Sequence, residues 1–160
     1  MGKEIIPFHT IHFLEGSEQR AHSDSIHMST EPEGYLIASW TALEATDQNN
    51  GPLFFYPGSH RLPYISCLDY ESGNSKWRIG GRYRKYEDKI QEIISTQNFD
   101  KKYFYADPGD VLIWHANLLH GGDSIKESER TRKSMVAHYF CEDVVCYHEI
   151  TQRPAFLSPK

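Results

Sequence analysis

Alternation of apolar and polar positions with a period of two dominates this chain. Gly34 to Leu43 (GYLIASWTAL) is rich in strand-forming residues and reads as a long, mostly buried strand. The turn cluster Asp47-Gln-Asn-Asn-Gly51 separates it from a second strand, Pro52 to Tyr56, which stops at Pro57-Gly58. Lys102 to Ala106 and Asp110 to Trp114 flank Asp107-Pro-Gly109 and read as consecutive strands joined by a tight turn, an apolar hairpin. Asn117 to His120 is short and extended, and Gly121-Gly122 lets the backbone turn away after it. Arg132 to Phe140 is a final strand, and Ile5 to Leu14 supplies one at the front.

One stretch departs from this period. Tyr83 to Thr96 sets Tyr86, Ile90, Ile93 and Ile94 at helical spacing with charges between them, which predicts an amphipathic helix. Many short strands with Gly/Pro turns and one helical insertion predict a mainly β chain. The architecture expected is a double-stranded β-helix, a cupin-like jelly roll, in one core domain over 1–160. The segment 61–101 falls between core strands as a long insertion, a usual place for a substrate-binding loop or lid.

Composition narrows the partners. Seventeen basic against 22 acidic residues give a net charge of −5, which argues against a general nucleic-acid binder. No apolar run reaches the length of a membrane span. The first residues have no signal-peptide apolar region, and Ile6 does not fit a myristoylation signal. Cys67, Cys141 and Cys146 are odd in number and form no CxxC pair, so neither a disulfide framework nor a thiolate zinc site is expected. A reducing, cytoplasmic compartment is the simplest reading.

The chemistry-bearing letters are His22-Ser-Asp24, then His120, then Arg132 twelve positions further on. Two histidines and one carboxylate are the protein ligands of the facial triad that holds non-haem Fe(II). His22 and Asp24 are two apart, so on an extended segment both side chains face the same way. Roughly one His-x-acid pair is expected by composition alone, so a hydrogen-bonded surface pair stays open as the alternative. His115 competes with His120 as the second histidine. Arg132 and Ser134 share a strand face, where a guanidinium can hold a carboxylate bidentately and a hydroxyl adds a donor; the alternative is an exposed strand-end cation. Gln19, three before His22, is a candidate for the same pocket.

Bland readings cover most of the remaining histidines. His60 reads as a turn histidine, with a substrate contact as the alternative, and His27 and His138 read as core-edge residues. Trp77 to Lys85 carries four cations with interleaved aromatics. It reads as a solvated face, with a grip on a substrate phosphate or carboxylate as the alternative.

Three stretches together resemble the phytanoyl-CoA dioxygenase family of Fe(II)/2-oxoglutarate oxygenases: Gly16 to Asp24, Asn50 to His60, and Asp107 to Phe140. The resemblance implies that His22, Asp24 and His120 are the iron ligands and catalytic centre. His120 is chosen over His115 because Gly121-Gly122 follows it as in the family. Arg132 would bind the far carboxylate of 2-oxoglutarate, with Ser134 as helper and Trp40 as an aromatic wall. The implied cofactors are Fe(II), 2-oxoglutarate as cosubstrate and O2. The implied reaction hydroxylates an aliphatic C–H of a small-molecule substrate, with release of succinate and CO2. Related halogenases carry a small residue in place of the carboxylate, so Asp24 favours hydroxylation. Two departures accompany the match: the chain is short at its amino end relative to the family, and Gly122 stands where many relatives have serine. A metal-binding cupin-like module without turnover, and a cupin enzyme not using 2-oxoglutarate, are the rival readings. The second has no use for the Arg132–Ser134 clamp.

Overall fold

The computed structural model describes residues 2–70 and 79–155. Its strands are β1 (Ile5–Phe13), β2 (Ser29–Glu31), β3 (Leu36–Ala42), β4 (Leu53–Phe55), β5 (Lys102–Phe104), β6 (Val111–His115), β7 (His120–Gly122), β8 (Ser134–Cys141), β9 (Val145–His148) and β10 (Arg153–Pro154). Its helices are α1 (Cys67–Tyr70) and α2 (Ile79–Gln97). One layer is the antiparallel sheet β1-β8-β3-β6. Facing it are two three-stranded sheets, β5-β4-β7 and β10-β9-β2. A bridge between His22 and His120 extends the first of these past β7. This double-layered, mainly β arrangement is the expected jelly roll.

Side-chain alternation explains the layering. In β3 every second residue, Leu36, Ala38, Trp40 and Ala42, is buried and faces the interior. Trp40, Trp114 and Val136 pack there against Leu53, Phe55 and Phe104 of the facing layer. β4 shows no alternation because both its faces are covered. Leu53 and Phe55 turn to the large sheet, while Phe54 and Tyr56 turn outward to Tyr86 and Ile90 of α2. Those two helix residues are fully buried, and each such side chain contributes about 1.5–3 kcal/mol of apolar burial.

Several expectations shift in detail. The strands on either side of Asp107-Pro-Gly109 are not a hairpin: β5 pairs with β4, whereas β6 pairs with β3 in the other layer. Gly109, at a φ of 97°, makes the corner where the chain crosses between layers. The short strand expected at 117–120 lies at 120–122. Asn117 is held in a turn by its own amide, which donates to the carbonyls of His60 (3.3 Å) and Leu62 (2.8 Å). Gly121 and Gly122 belong to that strand and do not turn the chain. A Cβ on Gly121 would sit 2.5 Å from the Gln19 carbonyl oxygen, and one on Gly122 2.6 Å from Ser17 Oγ, so glycine is required for close packing. Strands β2, β9 and β10 were outside the sequence reading, being two to four residues long. Among the described residues no helix is long and apolar enough to cross a membrane.

Candidate metal centre and its cavity

The site grows from one transverse row of the large sheet. Registered pairing aligns Trp114 with Ala38, Ala38 with His138, and His138 with His9. Ala38 offers only a methyl group between two large rings, and Asp24 is held between those rings. Trp114 Nε1 donates to Asp24 Oδ2 at 2.7 Å, and His138 Nε2 lies 3.5 Å from the same oxygen, too far for a good hydrogen bond. The other oxygen, Oδ1, lies 3.5 Å from His120 Nε2.

His22 and His120 face each other across their bridge, each backbone N–H donating to the other's carbonyl at 2.9 Å. His22 Nδ1 lies 3.0 Å from the Arg20 carbonyl oxygen, and His120 Nδ1 lies 3.0 Å from that of Leu118. A carbonyl oxygen only accepts, so both Nδ1 atoms carry a proton, which leaves the Nε2 atoms as the ring positions available to a metal. One ligand atom from each of His22, Asp24 and His120 comes within 4.8 Å of the other two. All three residues are buried. Burial, reinforced by His120, pushes the His22 imidazole down to about 3, so it is neutral at physiological pH. Burial opposes the charge on Asp24, but His120, His138 and His22 together hold its carboxyl below the usual range.

The loop carrying these ligands is extended at His22, which projects from its bridge to β7, and at Ser23, as expected, and it then turns, with Asp24 opening a short 3-10 turn, Asp24–Ile26. Helix α2 fixes the residue between them. Tyr86 Oη accepts the Ser23 backbone N–H at 2.8 Å and lies 2.9 Å from Ser23 Oγ, which is itself 2.6 Å from Ser25 Oγ. The Tyr86 phenol is raised above its ordinary value by burial. Arg20 reaches Glu87 and Asp88 of the same helix at 3.3 and 3.2 Å, an exposed pair that adds little.

The ligands open into a cavity of about 690 Å³, whose wall includes Gln19, Trp40 and Arg132. Arg132 is 3% exposed and has no carboxylate partner among the described residues. Its Nη1 donates to the Gly51 carbonyl at 2.7 Å, and its guanidinium carbon lies 5.7 Å from the centre of the Trp40 ring. Burial alone lowers its pKa to about 10, leaving it charged. The turn Asp47–Gly51 positions it: Asn50 Nδ2 donates to the Thr131 carbonyl, and Gly51, at a φ of 76°, presents its own carbonyl to Arg132. Three buried atoms here lack hydrogen-bond partners, namely Arg132 Nε, Trp40 Nε1 and Ser134 Oγ. Ser134 is fully buried on β8 but is not part of the cavity wall. Gln19 Nε2 donates to Tyr83 Oη at 3.2 Å.

The structure therefore brings His22, Asp24 and His120 together, and places Gln19, Trp40 and Arg132 on one wall. His115 lies elsewhere, its ring 6.3 Å from those of His60 and Tyr64, and neither His60 nor His115 reaches the cavity. His27 and His138, read as core-edge residues, both line it. No described residue of 61–101 does. Trp77 and Arg78 of the basic run lie outside the described residues, while Arg84 and Lys85 are exposed on α2. Sequence reasoning missed Trp114, Ala38, His9, Tyr86 and Asn50. The first two were findable, since β3 and β6 carry the alternation that puts them on the inner face. The donor set fits a facial-triad metal: two imidazoles fixed by carbonyl acceptors and a carboxylate fixed by an indole N–H. The unpartnered donors around Arg132 fit a carboxylate.

The phytanoyl-CoA dioxygenase (PhyH) family model matches residues 2–134. The peroxisomal phytanoyl-CoA dioxygenase of Mus musculus is 29% identical over 130 residues, covering 81% of this chain and 36% of the mouse protein. Phytanoyl-CoA dioxygenase domain-containing protein 1 of Danio rerio is 44% identical over 109 residues, covering 66% of this chain and 33% of its own. Among solved structures, the epimerase SnoN in complex with Fe3+, alpha ketoglutarate and nogalamycin RO superposes with a TM-score of 0.60 at 20% identity. That match covers 88% of this chain and 52% of SnoN, and it supports the fold. The chain thus spans about a third of the length of these curated relatives. Matched over most of its own length, the chain belongs to the phytanoyl-CoA dioxygenase family.

Proposed function

We propose that this chain is the oxygenase core of an Fe(II)- and 2-oxoglutarate-dependent dioxygenase that hydroxylates an aliphatic C–H of a small molecule. The observation that carries this is one cavity holding both a buried three-ligand set and a buried arginine with no carboxylate partner among the described residues. SnoN, of the same fold, is described with Fe3+ and alpha ketoglutarate bound. His22, Asp24 and His120 would hold the iron. Arg132 would hold the far carboxylate of 2-oxoglutarate against Trp40, with Gln19 on the same wall, whereas Ser134, which is not on that wall, would not touch it. When bound, iron and cosubstrate supply O2 activation, with succinate and CO2 as products. The chain contributes the rest: fixed imidazole tautomers, a charged guanidinium at neutral pH, and a buried setting that limits water. Asp24 fills the carboxylate position, which favours hydroxylation over halogenation. Neither nucleic acid nor membrane enters this reading, and the cytoplasm is its simplest compartment.

The test is product formation. The chain supplied with Fe(II), 2-oxoglutarate and O2 should release succinate, and Asp24→Ala should release none. Equal succinate from both proteins would refute the assignment.

A further inference from the structure

The cavity continues past the metal ligands, away from Arg132. Arg132 precedes β8, and His138 stands within that strand six residues later, roughly 20 Å further on if the chain is extended at 3.3–3.4 Å per residue. Around it the wall changes character. Six of the chain's nine histidines line the cavity, and His9, His27, His138 and His148 are not members of the triad. His138 is 4% exposed, and neither of its ring nitrogens has a hydrogen-bond partner. Its ring lies 4.7 Å from that of His9, tilted by 30°. Its Nε2 lies 3.5 Å from Asp24 Oδ2, and a buried imidazole facing a cavity with no good hydrogen bond on either nitrogen is costly unless a ligand group meets it.

Charge sharpens the ligand class. Among the described residues Asp24 is the one acidic residue on the cavity wall, against two arginines, in a chain of net charge −5. Arg132 stands at one end. Arg153 of β10 lies on the wall of the other, exposed at the mouth, with no carboxylate partner among the described residues. Phe8 and Met28 supply apolar surface between the mouth and the triad.

We propose that this second lobe is the substrate subsite and takes a carboxylate-bearing molecule with an apolar body. The carboxylate is met by Arg153 and imidazole N–H donors, and the apolar body lies against Phe8 and Met28. The subsite's role rests on the iron and 2-oxoglutarate reading of the triad and Arg132. A carboxylate meeting a guanidinium gains a charge-assisted hydrogen bond, roughly twice as strong as a neutral one, whereas an amine of the same shape gains repulsion.

The probes are octanoate, octanamide and octylamine. They are titrated calorimetrically into the anaerobic protein loaded with Fe(II) and saturating 2-oxoglutarate, which keeps Arg132 occupied. The visible charge-transfer band of the loaded protein is recorded alongside. Octanoate should bind at least about tenfold more tightly than the other two, an advantage of ~1.4 kcal/mol. Arg153→Gln should erase that gap with the band unchanged. With the band intact, equal affinities, a preference for octylamine, no binding by any probe, or a gap that survives Arg153→Gln would each overturn the subsite. A band that never forms in the unaltered protein overturns the iron reading instead, and the substrate role with it.

Discussion

The triad end and the Arg132 end of one cavity are prepared in opposite ways. At the triad, the polar atoms that would not bind metal already have partners: two Nδ1–H groups on backbone carbonyls, and Asp24 Oδ2 on Trp114 Nε1. At Arg132, one bond to Gly51 anchors the guanidinium, while Arg132 Nε and Trp40 Nε1, both of residues on the cavity wall, stay unpartnered. A buried donor without a partner costs about 1–3 kcal/mol, so this cluster is sensible where a ligand completes it. The first end is finished by the fold and the second by its ligand. The two should therefore respond separately to substitution.

The largest expected effect is at the triad. Asp24→Ala should weaken Fe(II) binding by about 100-fold or more, since it removes a ligand outright and leaves two imidazoles. Competition with a chelator measures this, and an unchanged affinity would break the comparison at its root. Arg132→Leu should raise the 2-oxoglutarate dissociation constant by about 30- to 100-fold, the size of a lost charge-assisted contact. Fe(II) affinity should stay within about twofold, because Arg132 touches none of the ligands; parallel loss of both would merge the two ends. Arg132→Lys should recover only part, since a point charge does not reproduce a planar fork.

Near neutral pH, protons act on the histidines and not on the Arg132 end. The folded-state value of His22, about 3, lies below the 6.5 of a free imidazole. The neutral ring therefore favours the fold fully above pH 6.5, and that stability is lost as pH falls toward 3, at about 1.4 kcal/mol per pH unit. His9 and His27, lowered chiefly by burial, add in the same direction. The urea midpoint of the metal-free protein should drop between pH 6.5 and 5.5; a flat profile would contradict the buried neutral imidazole. Trp114→Phe, which removes only the indole donor to Asp24, should cost about tenfold in Fe(II) affinity and leave 2-oxoglutarate binding nearly intact. Tyr86→Phe is the mildest: about 1 kcal/mol of stability and a few-fold in Fe(II) affinity, seen in urea melts and chelator titrations.

Legibility followed the length of the local pattern. The long strands β1, β3 and β8 and helix α2 could be read from periodicity, because each repeats its signal several times. Strands β2, β9 and β10 are too short to repeat anything, and their place depends on neighbours distant in sequence. The candidate ligands were legible as letters, but the reasons for their convergence were not. The extended backbone at Ser23 between His22 and Asp24 was legible, whereas the bridge that seats His22 on β7 and the 3-10 turn that begins at Asp24 were not. Gly121 and Gly122 admit Gln19 and Ser17, and do not make a turn. Tyr86 carried a helical-spacing signal that reads as core, and it is core. Its hydroxyl on Ser23 is a tertiary contact 63 positions away that no local pattern encodes.

The central claim is that one cavity seats iron at His22, Asp24 and His120 and 2-oxoglutarate at Arg132. Anaerobic titration of Fe(II) and 2-oxoglutarate, followed by the visible charge-transfer band, reads both seats at once. The unaltered chain should give the band, Asp24→Ala should lose it, and Arg132→Leu should restore it only at about 30-fold or more higher 2-oxoglutarate. A band of unchanged intensity in Asp24→Ala, at the same 2-oxoglutarate midpoint, would contradict the account.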